Sequence, residues 1–295
     1  MTDEKLHIPV LPHEVQDWLQ PCSGGQYIDG TLGLGGHSEL ILRQSSSDGR
    51  VFGFEWDSQA ALLAQERLAE FGERLQFIPA SYADMLAQCR ARGLEQANGI
   101  LLDLGVSSLQ FDTPERGFSF MTDAPLDMRM NTCLPTTAAE LINNLSQDEL
   151  ADVLYNYGEE WQARRIARFI VEARLVQPVE TTRQLAEIVR QAVPGKYQPK
   201  KIHPATKVFQ ALRIAVNREL DNLARVLADA PVLLRPGARL CIITFHSLED
   251  RMVKQALLNN PGLRVLTKKP VLPGETELRS NPRARSAKLR VAEKI

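Results

Sequence analysis

The chain has 295 residues, 44% hydrophobic and 24% charged, a composition that suits a soluble globular protein and excludes a fibrous or disordered chain. Its 35 Lys and Arg against 36 Asp and Glu leave a formal net charge of −1, so any nucleic-acid surface must come from local segregation of charge. The four cysteines (Cys22, Cys89, Cys133 and Cys241) are far apart and form no CxxC pair, so neither a zinc site nor a disulfide framework is signalled and no metal is expected.

The opening Met-Thr-Asp-Glu-Lys is polar and acidic, unlike a signal peptide, and no run approaches 18 apolar residues. The chain therefore reads as cytoplasmic, with no membrane span. A short strand is expected at 26–29, ending in Asp29. Gly30, Gly33, Gly35 and Gly36 follow, and a helix starts near His37. Strand, glycine turn and helix N-terminus together let backbone amides approach a nucleotide-like ligand with no Cβ in the way. The spacing is D-G-x-x-G-x-G-G. It departs from the dinucleotide pattern and is nearer the first loop of S-adenosylmethionine (AdoMet) enzymes. A second strand at 51–55 ends in Glu55, 19 residues after Gly36. A doubly wound fold places there the carboxylate that binds ribose hydroxyls.

Further strands are expected at 75–78 and 99–104, with a helix at 58–71 whose Ala61, Leu62, Ala64 and Leu68 share one side. Strands alternating with helices imply βαβ units and a parallel sheet. From about 112 to 205 the strand signal stops. Three capping boxes occur instead, at Thr137/Glu140, Ser146/Glu149 and Thr181/Gln184, each before an amphipathic run. Another helix is expected at 159–175, and one long helix at about 205–229 with Val208, Leu212, Val216, Leu220, Leu223 and Leu227 as its buried stripe. A buried strand at 239–245 follows, and 263–267 with 286–292 form a terminal antiparallel pair. The expected fold is α/β, Rossmann-like and mostly parallel. Its catalytic domain, 1–111 and 206–295, is interrupted by a helical insertion at 112–205.

Asp103 ends the fourth strand in Leu101-Leu-Asp-Leu-Gly-Val-Ser-Ser108. It suits either a ligand contact at the carboxyl end of a sheet or an N-cap for the next helix. His246, after the fifth strand, suits a general base or a residue that orients its loop. Tyr82, after the third strand, can flank an adenine ring or pack a sheet edge. Residues 188–218 hold Arg190, Lys196, Lys200, Lys201, Lys207, Arg213 and Arg218 and no acid, so they suit phosphate contact or a solvated face.

These segments together closely resemble the bacterial small-subunit ribosomal RNA (cytosine-N4)-methyltransferase family, often called MraW or RsmH. The match covers nearly the whole chain: Tyr27-Ile-Asp-Gly-Thr, Gly35-Gly-His-Ser38, Leu101 to Ser108, Arg116-Gly-Phe-Ser-Phe120, Pro125-Leu-Asp-Met-Arg-Met130, Tyr157-Gly-Glu-Glu160, His203-Pro-Ala-Thr206, Phe245-His-Ser-Leu-Glu-Asp-Arg251 and Asn281-Pro-Arg-Ala-Arg-Ser286. The resemblance implies a class I AdoMet-dependent fold, an insertion that helps bind RNA, and methylation of a cytosine N4 in the decoding region of 16S ribosomal RNA. It implies AdoMet binding, with S-adenosylhomocysteine as product, by Gly35, Gly36, His37, Glu55, Tyr82, Asp103 and Gln110. The family usually carries aspartate where this chain has Glu55, which leaves Asp57 as an alternative ribose ligand. The substrate RNA is naked or sits in an assembled subunit, and a homodimer is allowed.

Cytosine N4 is a weak nucleophile because its lone pair is delocalised into the ring. Catalysis is therefore expected to rest on in-line placement and on an acceptor for charge from the attacking amino group. Many amino-methyltransferases use a proline pair and an aromatic after the fourth strand, which this chain lacks. Asp103, Ser107, Ser108 and the Asp127/Arg129 pair are the candidates. Lys196, Lys200, Lys201 and Lys207 are the expected phosphate ligands. A non-catalytic RNA-binding factor is the competing reading, and the intact glycine turn with Glu55 and Asp103 argues against it.

Overall fold

The computed structural model describes residues 8–197 and 202–295. Lys200 and Lys201 lie outside the described residues. The chain divides into two compact units: the described parts of Met1–Ser107 with Leu220–Ile295, and Ser108–Glu219.

The first unit is built on a seven-stranded sheet. Its strands are β1 (Gln26–Asp29), β2 (Arg50–Phe54), β3 (Leu75–Ile78), β4 (Ala97–Asp103), β5 (Leu234–Thr244), β6 (Leu263–Val265) and β7 (Lys288–Lys294). They lie in the order β3-β2-β1-β4-β5-β7-β6. The first five are parallel; β7 runs antiparallel to both β5 and β6. Side chains alternate across each strand, so both faces carry a core. Ile28, Phe52, Phe54, Ile100, Leu102 and Ile242 pack on one face; Tyr27, Val51, Leu101, Cys241, Ile243 and Leu289 pack on the other. Burial on both faces explains why these strands read as continuous apolar runs. Helices α1 (Pro12–Leu19), α2 (Gly36–Gln44), α3 (Ser58–Arg67) and α4 (Met85–Ala91) belong to this unit. The strand order reverses between β1 and β4, where open α/β sheets leave a crevice at their carboxyl ends.

The second unit is helical: α5 (Ser108–Asp112), α6 (Ala138–Asn144), α7 (Gln147–Gly158), α8 (Ala163–Val176), α9 (Thr182–Ala192) and α10 (Thr206–Asn217). All three capping boxes read from sequence form, at the starts of α6, α7 and α9. Ile142, Leu150, Leu154, Ile166, Ile170, Leu185, Val189, Val208 and Leu212 are buried, one stripe from each long helix. Helices α7 and α10 approach closely at Gly158, where a Cβ would stand 2.7 Å from the Lys207 carbonyl oxygen. Among the described residues its only β-type pairing is the isolated one between Pro125 and Thr181.

Three expectations need correction. The long helix expected at 205–229 is two helices, α10 and α11 (Glu219–Leu233), separated by Arg218 in the left-handed conformation at φ 50°. The apolar stripe runs through that break, so periodicity alone joins the two. Accordingly α10 clusters with the helical unit: the divisions fall at 107/108 and 219/220 rather than at 111/112 and 205/206. Leu62 points outward, 63% exposed, while Ala61, Ala64 and Leu68 are buried. The remaining helices, α12 (Ser247–Asn259) and α13 (Glu275–Ser280), complete the first unit. No helix among the described residues is long and apolar enough to cross a membrane.

Candidate active site

The carboxyl end of β1 carries the glycine turn. Gly33 and Gly35 have φ values of 53° and 81°, which an L side chain rarely adopts. Gly30 is required for another reason, because a Cβ there would stand 2.4 Å from a Leu102 methyl and 3.2 Å from the Tyr82 Cβ. The turn is anchored through Leu32 N–H to the Phe54 carbonyl at 2.9 Å and Gly30 N–H to the Leu101 carbonyl at 2.9 Å. It delivers the chain into α2 with Gly35 as N-cap, and no side chain caps that end. The first amides of α2 are thus presented to whatever lies above the turn.

Asp29, fully buried, organises the turn from below. Its carboxylate accepts the Ser38 hydroxyl at 2.7 Å and the Thr31 N–H at 3.1 Å. Burial raises its pKa, and these hydrogen bonds oppose the rise. Thr31 Oγ1 in turn accepts the Asp103 N–H at 2.6 Å. The ends of β1 and β4 are therefore locked together at the point where the strand order reverses. Sequence reasoning passed over Asp29, Thr31 and Ser38 as site residues; the cue was an acid at a strand end followed by two hydroxyls.

Glu55 follows β2. Its carboxylate accepts the Gly33 N–H at 3.0 Å and the Asp57 N–H at 2.8 Å, so it braces the glycine turn directly. Burial pushes it up to about 7, partly offset by the Asp57 amide bond. Asp57 does something else: its side chain caps α3 by accepting the Gln59 N–H at 3.1 Å. Tyr82 opens the short turn after β3 and packs beside Gly30, half-buried.

Asp103 closes the group. One carboxylate oxygen lies 3.7 Å from His37 Nε2, beyond hydrogen-bond reach. The other, Oδ1, is sealed from solvent and has no hydrogen-bond partner among the described residues. Burial holds the Asp103 pKa well above the usual carboxylate range, and the nearby charges of Asp29 and Glu249 add to that. A buried acceptor with nothing to accept is costly and needs an explanation.

His246 is the N-cap of α12. Its Nδ1 accepts the Glu249 N–H at 3.4 Å, and Glu249 accepts the Phe245 and His246 amides at 2.8 and 3.2 Å. This fourth capping box fits the reading of His246 as a residue that orients its loop.

The other candidates are shared between the two units of the chain. Ser107 lies in the first unit; Ser108 and Gln110 lie on α5 of the second, both buried. Asp127 is gripped by Arg129 through two bonds of 2.7 and 2.8 Å. Burial works against ionisation there, but the Arg129 bonds prevail and keep its pKa low. Asn217, which sequence reasoning missed, is buried on α10. It accepts the Met130 N–H and donates to the Met128 carbonyl, each at 2.7 Å. Of the cations, Arg190 pairs with Glu187 at 2.6 Å and Arg213 with Glu219 at 2.8 Å. Both acids lie just outside the acid-free window read from sequence. Lys207 donates to the Glu159 carbonyl at 2.9 Å, while Lys196 is exposed over the Tyr197 ring at 4.7 Å.

The strand order and the turn define a class I AdoMet-dependent methyltransferase. The family model of the MraW methylase family matches residues 4–295. Proteins called ribosomal RNA small subunit methyltransferase H align across the whole chain. The one from Desulfotalea psychrophila is 52% identical over 295 residues, covering 100% of both chains. That from Geobacter sulfurreducens is also 52% identical and covers 98% of this chain and 99% of its own. A solved rRNA methylase from Streptococcus thermophilus superposes at a TM-score of 0.44 and 12% identity, covering 98% of this chain and 99% of its own. The chain belongs to the MraW methylase family.

Proposed function

We propose that the protein methylates the N4 amino group of a cytosine in the decoding region of 16S ribosomal RNA. The relatives' name supports the RNA, and the buried Oδ1 of Asp103 carries the chemistry. AdoMet would supply an electrophilic methyl group on a sulfonium. The residues present fit it. The uncapped start of α2, at Gly35, Gly36 and His37, suits its carboxylate end. Glu55, half-buried where Asp57 is fully buried against α3, suits two ribose hydroxyls through the lone pairs its two amide bonds leave open. Tyr82 suits a flank of the adenine, and Gln110 is the remaining expected contact. Asp103 Oδ1 then gains a donor: the cytosine amino group sheds positive charge toward it as its lone pair attacks. Ser107 and Ser108 supply further polar contacts to the base. Asp127, saturated by Arg129, holds its loop instead. The base leaves its stack to arrive. Lys196, Lys200, Lys201 and Lys207 contact the flanking phosphates.

The test is nucleoside mass spectrometry after incubation with isotopically methyl-labelled AdoMet, using naked 16S RNA in one arm and assembled small subunits in the other. Label in N4-methylcytidine is the expected result, and the labelled arm identifies the substrate form. Label in neither arm, with RNA binding intact, overturns the enzyme in favour of a binding factor.

A further inference from the structure

The inserted unit displays two aromatic residues that its own packing does not use. Trp161 is 82% exposed and Tyr155 53% exposed, with ring centroids 6.3 Å apart and planes at 84°. A third, Tyr197, is 55% exposed under the Lys196 ammonium. Leaving an indole this open forgoes the burial that normally places tryptophan inside, so the exposure calls for a reason outside the fold.

Charge supplies that reason. Within 159–176 there are Arg164, Arg165, Arg168 and Arg174 against Glu159, Glu160 and Glu172, and Glu172 is taken up by Arg168 at 3.6 Å. Arg164 is exposed and makes no ion pair among the described residues. Arg165 Nε donates to the Ala192 carbonyl at the end of α9, four residues before Lys196. Four residues span at most about 14 Å, so the Trp161 end of α8 and the Lys196–Tyr197 turn are neighbours on one unit. Glu160, the acid next to Trp161, has its carboxylate turned back onto the Gln162 amide at 2.8 Å. Aromatic faces interleaved with guanidinium and ammonium groups match a single-stranded nucleic acid, whose bases stack while its phosphates pair with cations.

We infer that Tyr155, Trp161, Arg164, Arg165, Lys196 and Tyr197 form a stacking platform for unpaired bases of the RNA substrate. This rests on the RNA reading above and names the surface that holds the strand. Stacking on Trp161 tolerates any base, so the platform contributes affinity and sequence is read elsewhere.

The test uses the full chain, a fluorescein-labelled single-stranded oligoribonucleotide, and anisotropy over a range of salt. W161A and Y155A are each expected to weaken binding about tenfold, and W161F less than threefold because a ring remains. R164Q is expected to flatten the salt slope by about 0.7. Saturating RNA is expected to quench tryptophan fluorescence in the parent and much less in W161F. Far-UV circular dichroism and a cooperative thermal melt stay unchanged in all four variants, which establishes that the helical unit folds, and AdoMet affinity by calorimetry stays unchanged as well. W161A within twofold of the parent overturns the platform, as does a parent that shows no quenching on binding. If W161A binds the oligonucleotide normally but loses affinity for the assembled subunit, the face docks protein and the platform is wrong. If the parent binds the oligonucleotide but labels no RNA, methyl transfer fails while the platform is still judged by W161A.

Discussion

The Glu55 carboxylate accepts two backbone amides, yet burial still lifts it to about 7 from an ordinary 4.5. The unfolded chain loses this proton near 4.5 and the native state keeps it until about 7. Stability therefore falls as pH rises through that window, by about 3 kcal/mol for this group, and this contribution is flat above it. Glu55→Gln should shrink the decline seen in urea unfolding between pH 5 and 7; an unchanged decline would assign it to Asp29 and Asp103 alone. Ribose hydroxyls prefer the ionised form, so AdoMet affinity should rise with pH up to about 7 and then level, a rise Glu55→Gln abolishes in calorimetry. Asp103 acts on stability with the same sign as Glu55. Its ionised form is disfavoured by burial and by the nearby charges of Asp29 and Glu249, so this carboxyl opposes folding as pH rises above the ordinary carboxylate range. Asp103→Asn should raise the thermal midpoint while cutting methyl transfer about 100- to 1,000-fold. A variant that melts lower with near-normal activity would make Asp103 a structural residue.

The capping boxes of α6, α7 and α9 were legible because they are local: four residues contain both partners. Asn217 was not, because its partners Met128 and Met130 are nearly ninety positions away. The same distinction sets the energies. Ser146→Ala removes an exposed cap and should cost about 1 kcal/mol. Asn217→Ala strands the Met130 amide and the Met128 carbonyl in a buried setting, and should cost about 2–4 kcal/mol in denaturant unfolding. Equal losses for the two would mean that water enters at Asn217 and satisfies those groups. The break at Arg218 was illegible for a related reason. Apolar periodicity continues across it, and a left-handed residue that is not glycine leaves no compositional mark.

At the scale of the chain, the sheet was readable because strands buried on both faces are unbroken apolar runs, and the glycine turn because its spacing is rare. What the sequence blurred was the edge of the insertion, since α10 shares its apolar stripe with α11. The charge of residues 188–218 is also less segregated than the bare window suggests, because Glu187 and Glu219 sit one residue beyond it and pair with its arginines. The helical unit carries buried residues from every long helix, three capped starts and the Asn217 clamp, all contributed by Ser108–Glu219. A segment with its own core and caps has what independent folding needs. Expressed alone, Ser108–Glu219 should therefore unfold cooperatively by circular dichroism, with a sloping denaturant transition no broader than its size dictates. Ending the fragment at 205, where sequence periodicity placed the boundary, removes α10 together with Val208, Leu212 and Asn217. That shorter fragment should show a weak, non-cooperative melt. If both fragments melt alike, α10 contributes little to the unit and the division near 205 is the better one.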